Sequence, residues 1–134
     1  MNDAQSALIY TMVLVSAADQ DMTDSELKIM GELVSYLPVF RDYDVSSLSK
    51  TAQECAELLG DSDGLDKALG IIVDAIPERL RETAYSIACD VAAADGKASQ
   101  EELRLLELLR HRLAVGRLPA AAIERAARAR HQTL

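Results

Sequence analysis

The chain has 134 residues, 49% of them hydrophobic and 27% charged, with one Phe, no Trp and a formal net charge of −8. That length suffices for one domain burying roughly two thirds of the surface its unfolded form exposes, and a composition rich in Ala and Leu predicts an all-α fold over any sheet. The acidic balance excludes general nucleic-acid binding, because phosphate contacts need Lys or Arg to displace counterions.

Asp3 is placed to cap a first helix over about 4–18, with Leu8, Met12 and Val15 along one face. Thr23 followed by Glu26 forms a capping box that opens a second helix, whose Leu27, Met30, Val34 and Leu37 are expected to face the first helix before the chain stops near Pro38. After an irregular stretch, a third helix is predicted from about Ser47 to Leu59, ended by Gly60 in a left-handed conformation. The DSDG at 61–64 reads as a turn, a fourth helix follows over about 65–75, and Pro77 suits the first turn of a fifth that reaches Ala94 on Leu80, Ala84, Ile87 and Val91. Ser99 with Glu102 makes a second capping box for a sixth helix through about Leu113, closed by Gly116, and Pro119 begins a seventh that frays into the C-terminal HQTL.

At an offset of 76, residues 15–37 match residues 91–113 at eight of 23 positions, including Asp19 with Asp95 and Glu26 with Glu102. The expected architecture is therefore a single bundle of about seven helices built on two pseudo-repeated helical hairpins. Repeat one covers about 4–38, a helical insert about 39–76, repeat two about 77–114 and a C-terminal helix about 119–131.

Charge is uneven along this plan. Residues 1–67 carry 13 acidic and 4 basic side chains, a balance of −9, whereas residues 68–134 carry 9 and 10, a balance of +1. The first half is thus suited to a cation or a basic partner. In the second half Arg117, Arg125, Arg128 and Arg130 are expected on a solvated helix face, with an anionic lipid surface or acidic partner as the alternative. Cys55 and Cys89 each lie inside an apolar helical pattern and read as buried free thiols, an interhelical disulfide being the alternative. No basic region precedes an apolar stretch at the N-terminus, and a cytoplasmic protein is expected.

The repeated stretches AADQDMTDSE and AADGKASQEE place Asp19 and Asp95 at helix C-termini, where the helix dipole disfavours a carboxylate by about 0.3–1 kcal/mol unless a positive or donor group compensates. Amides at the start of the next helix would serve. So would a divalent cation, calcium by preference, held by Asp19, Asp21, Glu26 and the Thr23 hydroxyl, with a poorer second set at Asp95 and Glu102, with Glu101 as a further candidate, where Lys97 replaces an acid. Neither stretch is an EF-hand, since the sixth and twelfth positions from Asp19 are Asp24 and Met30. DSDGLD is explained by a turn plus a helix cap.

No enzyme is expected. The chain lacks a Glu-x-x-His pair and a phosphate loop, and His111 and His131 have no catalytic neighbour in sequence and read as surface residues. Asp90, interrupting the apolar run ACDVAAA, is expected to form a salt bridge with a neighbouring helix.

The motif A-A-D-G-x-x-S-x-x-E on a helix-loop-helix, present as AADGKASQEE and diverged as AADQDMTDSE, resembles the TerB-like tellurite-resistance family, whose relatives include domains of membrane-anchored DnaJ-type co-chaperones. The resemblance is specific over 83–114 and weaker over 7–38. It implies an all-α fold, no catalysis, a stress-response role at the inner face of the membrane, and cation binding at Asp19, Glu26, Asp95 and Glu102. Gln20, standing where the pattern has Gly, and Lys97 depart from it. Direct capture of tellurite is disfavoured, because an oxyanion would meet an acidic site. The expected function is a non-enzymatic cytoplasmic adaptor of the tellurite-resistance type, with a metal-independent helical interaction domain as the alternative. An unidentified protein partner, peripheral membrane contact and a homo-oligomer are the partner classes left open.

Overall fold

The run ALIYTMVLV in the first helix has no polar stripe, and a helix that is apolar all round is stable only when surrounded. In the computed structural model, which describes residues 3–19, 22–96 and 98–134, every residue of α1 (Ala4–Ser16) from Ser6 onward is buried. The expected single face of Leu8, Met12 and Val15 is thus one part of a fully enclosed central helix. Asp3 caps it by accepting from the Ser6 amide at 2.7 Å, and the buried Thr11 hydroxyl is satisfied within the helix by donating to the Ala7 carbonyl at 2.9 Å.

The remaining helices are α2 (Asp24–Tyr36), α3 (Leu48–Leu59), α4 (Gly64–Ala75), α5 (Arg81–Ala93), α6 (Gln100–Arg112) and α7 (Arg117–Arg130), with short 3-10 turns at Pro38–Phe40, Val45–Ser47 and Glu78–Leu80. The chain is all-α, with no strand among the described residues. α1 and α5 pack together at the centre; α3 and α4 cover α1, α7 covers α5, and α6 touches both central helices. The core runs along this seam, from Leu8, Met12 and Val15 to Ala84, Ile87, Ala88 and Val91. Among the described residues, no helix is long and apolar enough to cross a membrane.

Several helix ends depart from expectation, each for a local reason. α2 packs chiefly on α5 and only marginally on α1, so its partner lies across the molecule, not within its own hairpin. Gly60 has a helical φ of −73°, because α3 closes with short-range bonds from the Gly60 amide to Glu57 and the Asp61 amide to Leu58. α6 closes on Ala114, which takes the left-handed φ of 56° while the Ala114 and Val115 amides bond back to His111 and Arg110. Gly116, expected to perform that closure, is instead the residue from which α7 starts, so α7 begins ahead of Pro119, which falls in its first turn. Pro77 precedes a 3-10 turn, and α5 begins only at Arg81.

Arg81 anchors this junction. Its guanidinium donates to the carbonyls of Ile76 at 2.9 Å, Val73 at 3.0 Å and Leu113 at 3.4 Å, placing one cation at the C-terminal ends of both α4 and α6.

The glycine that the fold requires is Gly64, where α4 turns back against the end of α3: a Cβ built there would lie 2.0 Å from the Leu58 carbonyl oxygen. Relief would have to come from backbone movement. Gly64→Ala is therefore expected to destabilise the protein by about 1–3 kcal/mol, readable as a lowered midpoint in thermal or urea unfolding.

Candidate functional site

Both capping boxes form as the sequence predicts. The Thr23 hydroxyl accepts from the Glu26 amide at 3.1 Å while the Thr23 amide donates to Glu26 Oε1 at 3.0 Å; Ser99 and Glu102 repeat the pattern at 3.1 and 2.9 Å. Each glutamate is thereby folded back over its own helix start. Such a glutamate at an exposed helix start keeps its free oxygen in water, but Glu26 and Glu102 are only 1% and 2% exposed.

They are buried because they meet. The Glu102 carboxyl lies within hydrogen-bonding reach of Glu26, and the Ser16 hydroxyl at the end of α1 donates to Glu26 Oε1 at 3.2 Å. Among the described residues, Glu102 Oε2 is buried with no hydrogen-bond donor directed to it. Burial, the contact with Glu26 and the negative charges of Glu26 and Asp19 push the Glu102 carboxyl up to about 8, against a smaller opposing effect of the Ser99 amide. A proton on Glu102 would sit between the two carboxyl groups and turn repulsion into a hydrogen bond.

The other sequence candidates divide around this pair. Asp19 is half-buried, contributes to the negative field at Glu102 and is itself engaged in an interaction. Asp95 is exposed, immediately before Gly96, whose φ of 87° is the left-handed turn that a glycine takes most readily. Asp21, together with Gln20 and Lys97, lies outside the described residues. The structure thus brings the two glutamates together across the hairpins, where the sequence suggested one acidic set per hairpin. Among the described residues, no group of three or more His, Cys, Asp or Glu side chains converges in a geometry that could hold a metal ion. The missed feature had one signal, the equivalence of Glu26 and Glu102 at the 76-residue offset.

The small residues beside the site leave space. Ala17 and Ala18 line a cleft of about 950 Å³ between α1, α3 and α6, walled by Leu14, Leu105 and Leu108 with His111 at its edge. A second cleft of about 720 Å³ separates α6 from α7 over the α5 surface of Cys89, Ala92 and Ala93.

Asp90 forms the salt bridge expected of it, to Arg130 of α7, and His131 adds a contact at 3.3 Å. One expectation is corrected here. The His131 side chain is 18% exposed and lies against Asp90, not in a frayed tail, whereas Arg130, its side chain half exposed, stays with Arg117, Arg125 and Arg128 on the solvated face of α7. The Tyr85 hydroxyl donates to Glu124, and burial together with that carboxylate pushes its pKa well above the ordinary tyrosine value. Cys55 and Cys89 are both free and buried, and burial raises each thiol to about 12.

A family model described as "Tellurite resistance protein TerB" matches residues 5–127, nearly the whole chain. Neither a curated protein nor a solved structure matches it.

Glu102 binds its proton more tightly in the folded than in the unfolded chain, so between its ordinary value of 4.5 and about 8 the folded state holds the extra proton. Stability from this group is present below that window and falls as pH rises through it. Glu102→Gln, whose amide can donate to Glu26 permanently, is expected to remove this decline and to raise the melting temperature above wild type at pH 8.5 in chelator; a steeper decline in the variant would contradict the buried proton. A thiol reagent such as Ellman's should react with Cys55 only after denaturant is added.

Proposed function

This chain belongs to the TerB tellurite-resistance family, and from that premise we propose that it is a non-enzymatic cytoplasmic adaptor whose hairpin junction responds to a divalent cation. The observation that carries the reading is Glu102 Oε2, a carboxyl oxygen buried without a hydrogen-bond partner among the described residues and beside a second buried carboxyl group. A buried polar atom without a partner costs about 1–3 kcal/mol, and the all-oxygen surroundings of Glu26, Glu102 and Ser16, with Asp19 nearby, suit a hard cation such as calcium better than zinc. The residues fit such an ion: Glu26 and Glu102 would hold it directly, and Asp19 would add negative charge. The bound ion would supply charge neutralisation between the starts of α2 and α6. The chain's own part is positional, since each capping box fixes its glutamate's Oε1 on a backbone amide, and in Glu102 this leaves Oε2 buried at the junction.

A second reading, a metal-independent helical interaction domain, is favoured by a different observation. Both glutamates are already used as caps, and no larger acidic cluster converges among the described residues. The proton between the carboxyl groups then suffices to stabilise the junction.

Calorimetric titration with calcium, magnesium, manganese and zinc, paired with melts in ion and in chelator, separates them. The cation reading expects saturable heat and a raised melting temperature that both vanish in Glu26→Gln and Glu102→Gln. The metal-independent reading expects no heat with any ion, and the same loss of stability in Asp19→Asn and in Asp95→Asn with and without chelator.

A further inference from the structure

α7 is attached to the bundle through a single helix. It packs on α5 and makes no more than marginal contact with any other element, the cleft of about 720 Å³ standing between it and α6. Its apolar anchorage is small: Ala120 and Ala127 are buried and Ile123 is half-buried, while Leu118 is 83% exposed. Polar contacts supply the rest of the attachment, Tyr85 to Glu124 at one end and Asp90 to Arg130 and His131 at the other.

The attachment in the first half of the chain differs: the buried residues of α3 are Thr51 and Cys55, neither of them charged. α3 lies on α1 as α7 lies on α5. At the 76-residue offset Tyr85 corresponds to Ile9, Asp90 to Leu14 and Glu124 to Leu48. An apolar seam accepts many occupants, whereas a buried carboxylate and a buried phenol left without partners each carry a desolvation cost. The α5 surface therefore selects a helix bearing a carboxylate and, six residues later, a guanidinium.

The connection to α6 is under strain. Ala114 holds φ at 56°, a conformation that an alanine adopts at a cost which glycine avoids. The segment 113–116 joins α6 to α7 directly, so relaxation of this one residue re-aims the whole of α7. Hinge strain beside a terminal element that rests on a single neighbour favours exchange of that element between identical chains.

From these features we propose that α7 is an exchangeable arm: it swings out about residues 113–116 and seats, through the same Glu124 and Arg130 contacts, on α5 of a second copy of this chain. The second copy is the occupant because its α7 carries the pattern that Tyr85 and Asp90 require. Arg130 and His131 lie beyond the residues 5–127 that match the family, so half of the polar attachment belongs to this chain's own C-terminal segment.

The test uses the full chain and a fluorescently labelled peptide of residues 114–134 as a stand-in for the second copy's arm, read by anisotropy. Wild type is expected to bind the peptide saturably. Ala114→Val, which worsens the hinge without touching the seat, should bind it several-fold more tightly and shift light scattering toward dimer. Ala114→Gly, which relieves the hinge, should bind about fivefold more weakly. Asp90→Leu in the chain, or Arg130→Ala in the peptide, should abolish binding. Absence of peptide binding, or binding unaffected by the hinge substitutions, would overturn the proposal. So would hydrogen exchange in α7 as slow as in α1. Unchanged amide protection in α1 certifies that each variant is folded; should Ala114→Val fail that check, the weakening in Ala114→Gly decides alone.

Discussion

Two carboxyl groups, placed face to face by the starts of α2 and α6, set the terms for the rest of the molecule. Each is held by its own helix through a short-range capping interaction, and neither can turn away to water without releasing a backbone amide. Like charges in a buried site are mutually destabilising, and the Glu102 carboxyl is accordingly pushed toward its protonated form. α1 ends beside the pair with Ser16, and α5 receives both α2 and α6, so the conflict is transmitted to the two central helices.

Much of the fold was legible because its determinants are local. Asp3, Thr23 and Ser99 act on amides two or three residues away, and no tertiary information is needed to recognise them. Asp90 was legible for a related reason: one charge in an apolar helical run has to find an opposite charge on a neighbour, and Arg130 provides it. The partner of α2 was not legible, since the side on which an amphipathic helix settles depends on the competing surfaces offered by helices distant in sequence. Helix closure misled at Gly60 and Gly116. Short-range bonds end α3 with no left-handed residue, and the residue that needs one after α6 is an alanine.

The candidate site was half legible, and the half that was missed is instructive. Glu26 and Glu102 are each fully explained by the capping rule, so local reasoning stops once that rule is satisfied. Their encounter is a property of the assembled helices alone. Asp19, singled out for its unfavourable place after a helix end, does approach the pair, whereas Asp95 at the equivalent position is exposed. The sequence likeness at the 76-residue offset is therefore not matched by equal surroundings for the two aspartates. His131 was misread because a chain terminus ordinarily lacks contacts to order it, and here Asp90 supplies one.

The sealing of Cys55 and Cys89 has a consequence for survival under oxidative attack. Soft oxidising electrophiles consume sulfur as thiolate, and a group that ionises only near pH 12 offers almost none in a neutral solution. Small cellular thiols and exposed cysteines of other proteins would be spent first. A helical chain with its sulfur kept in this state can outlast the depletion of the reductant pool around it.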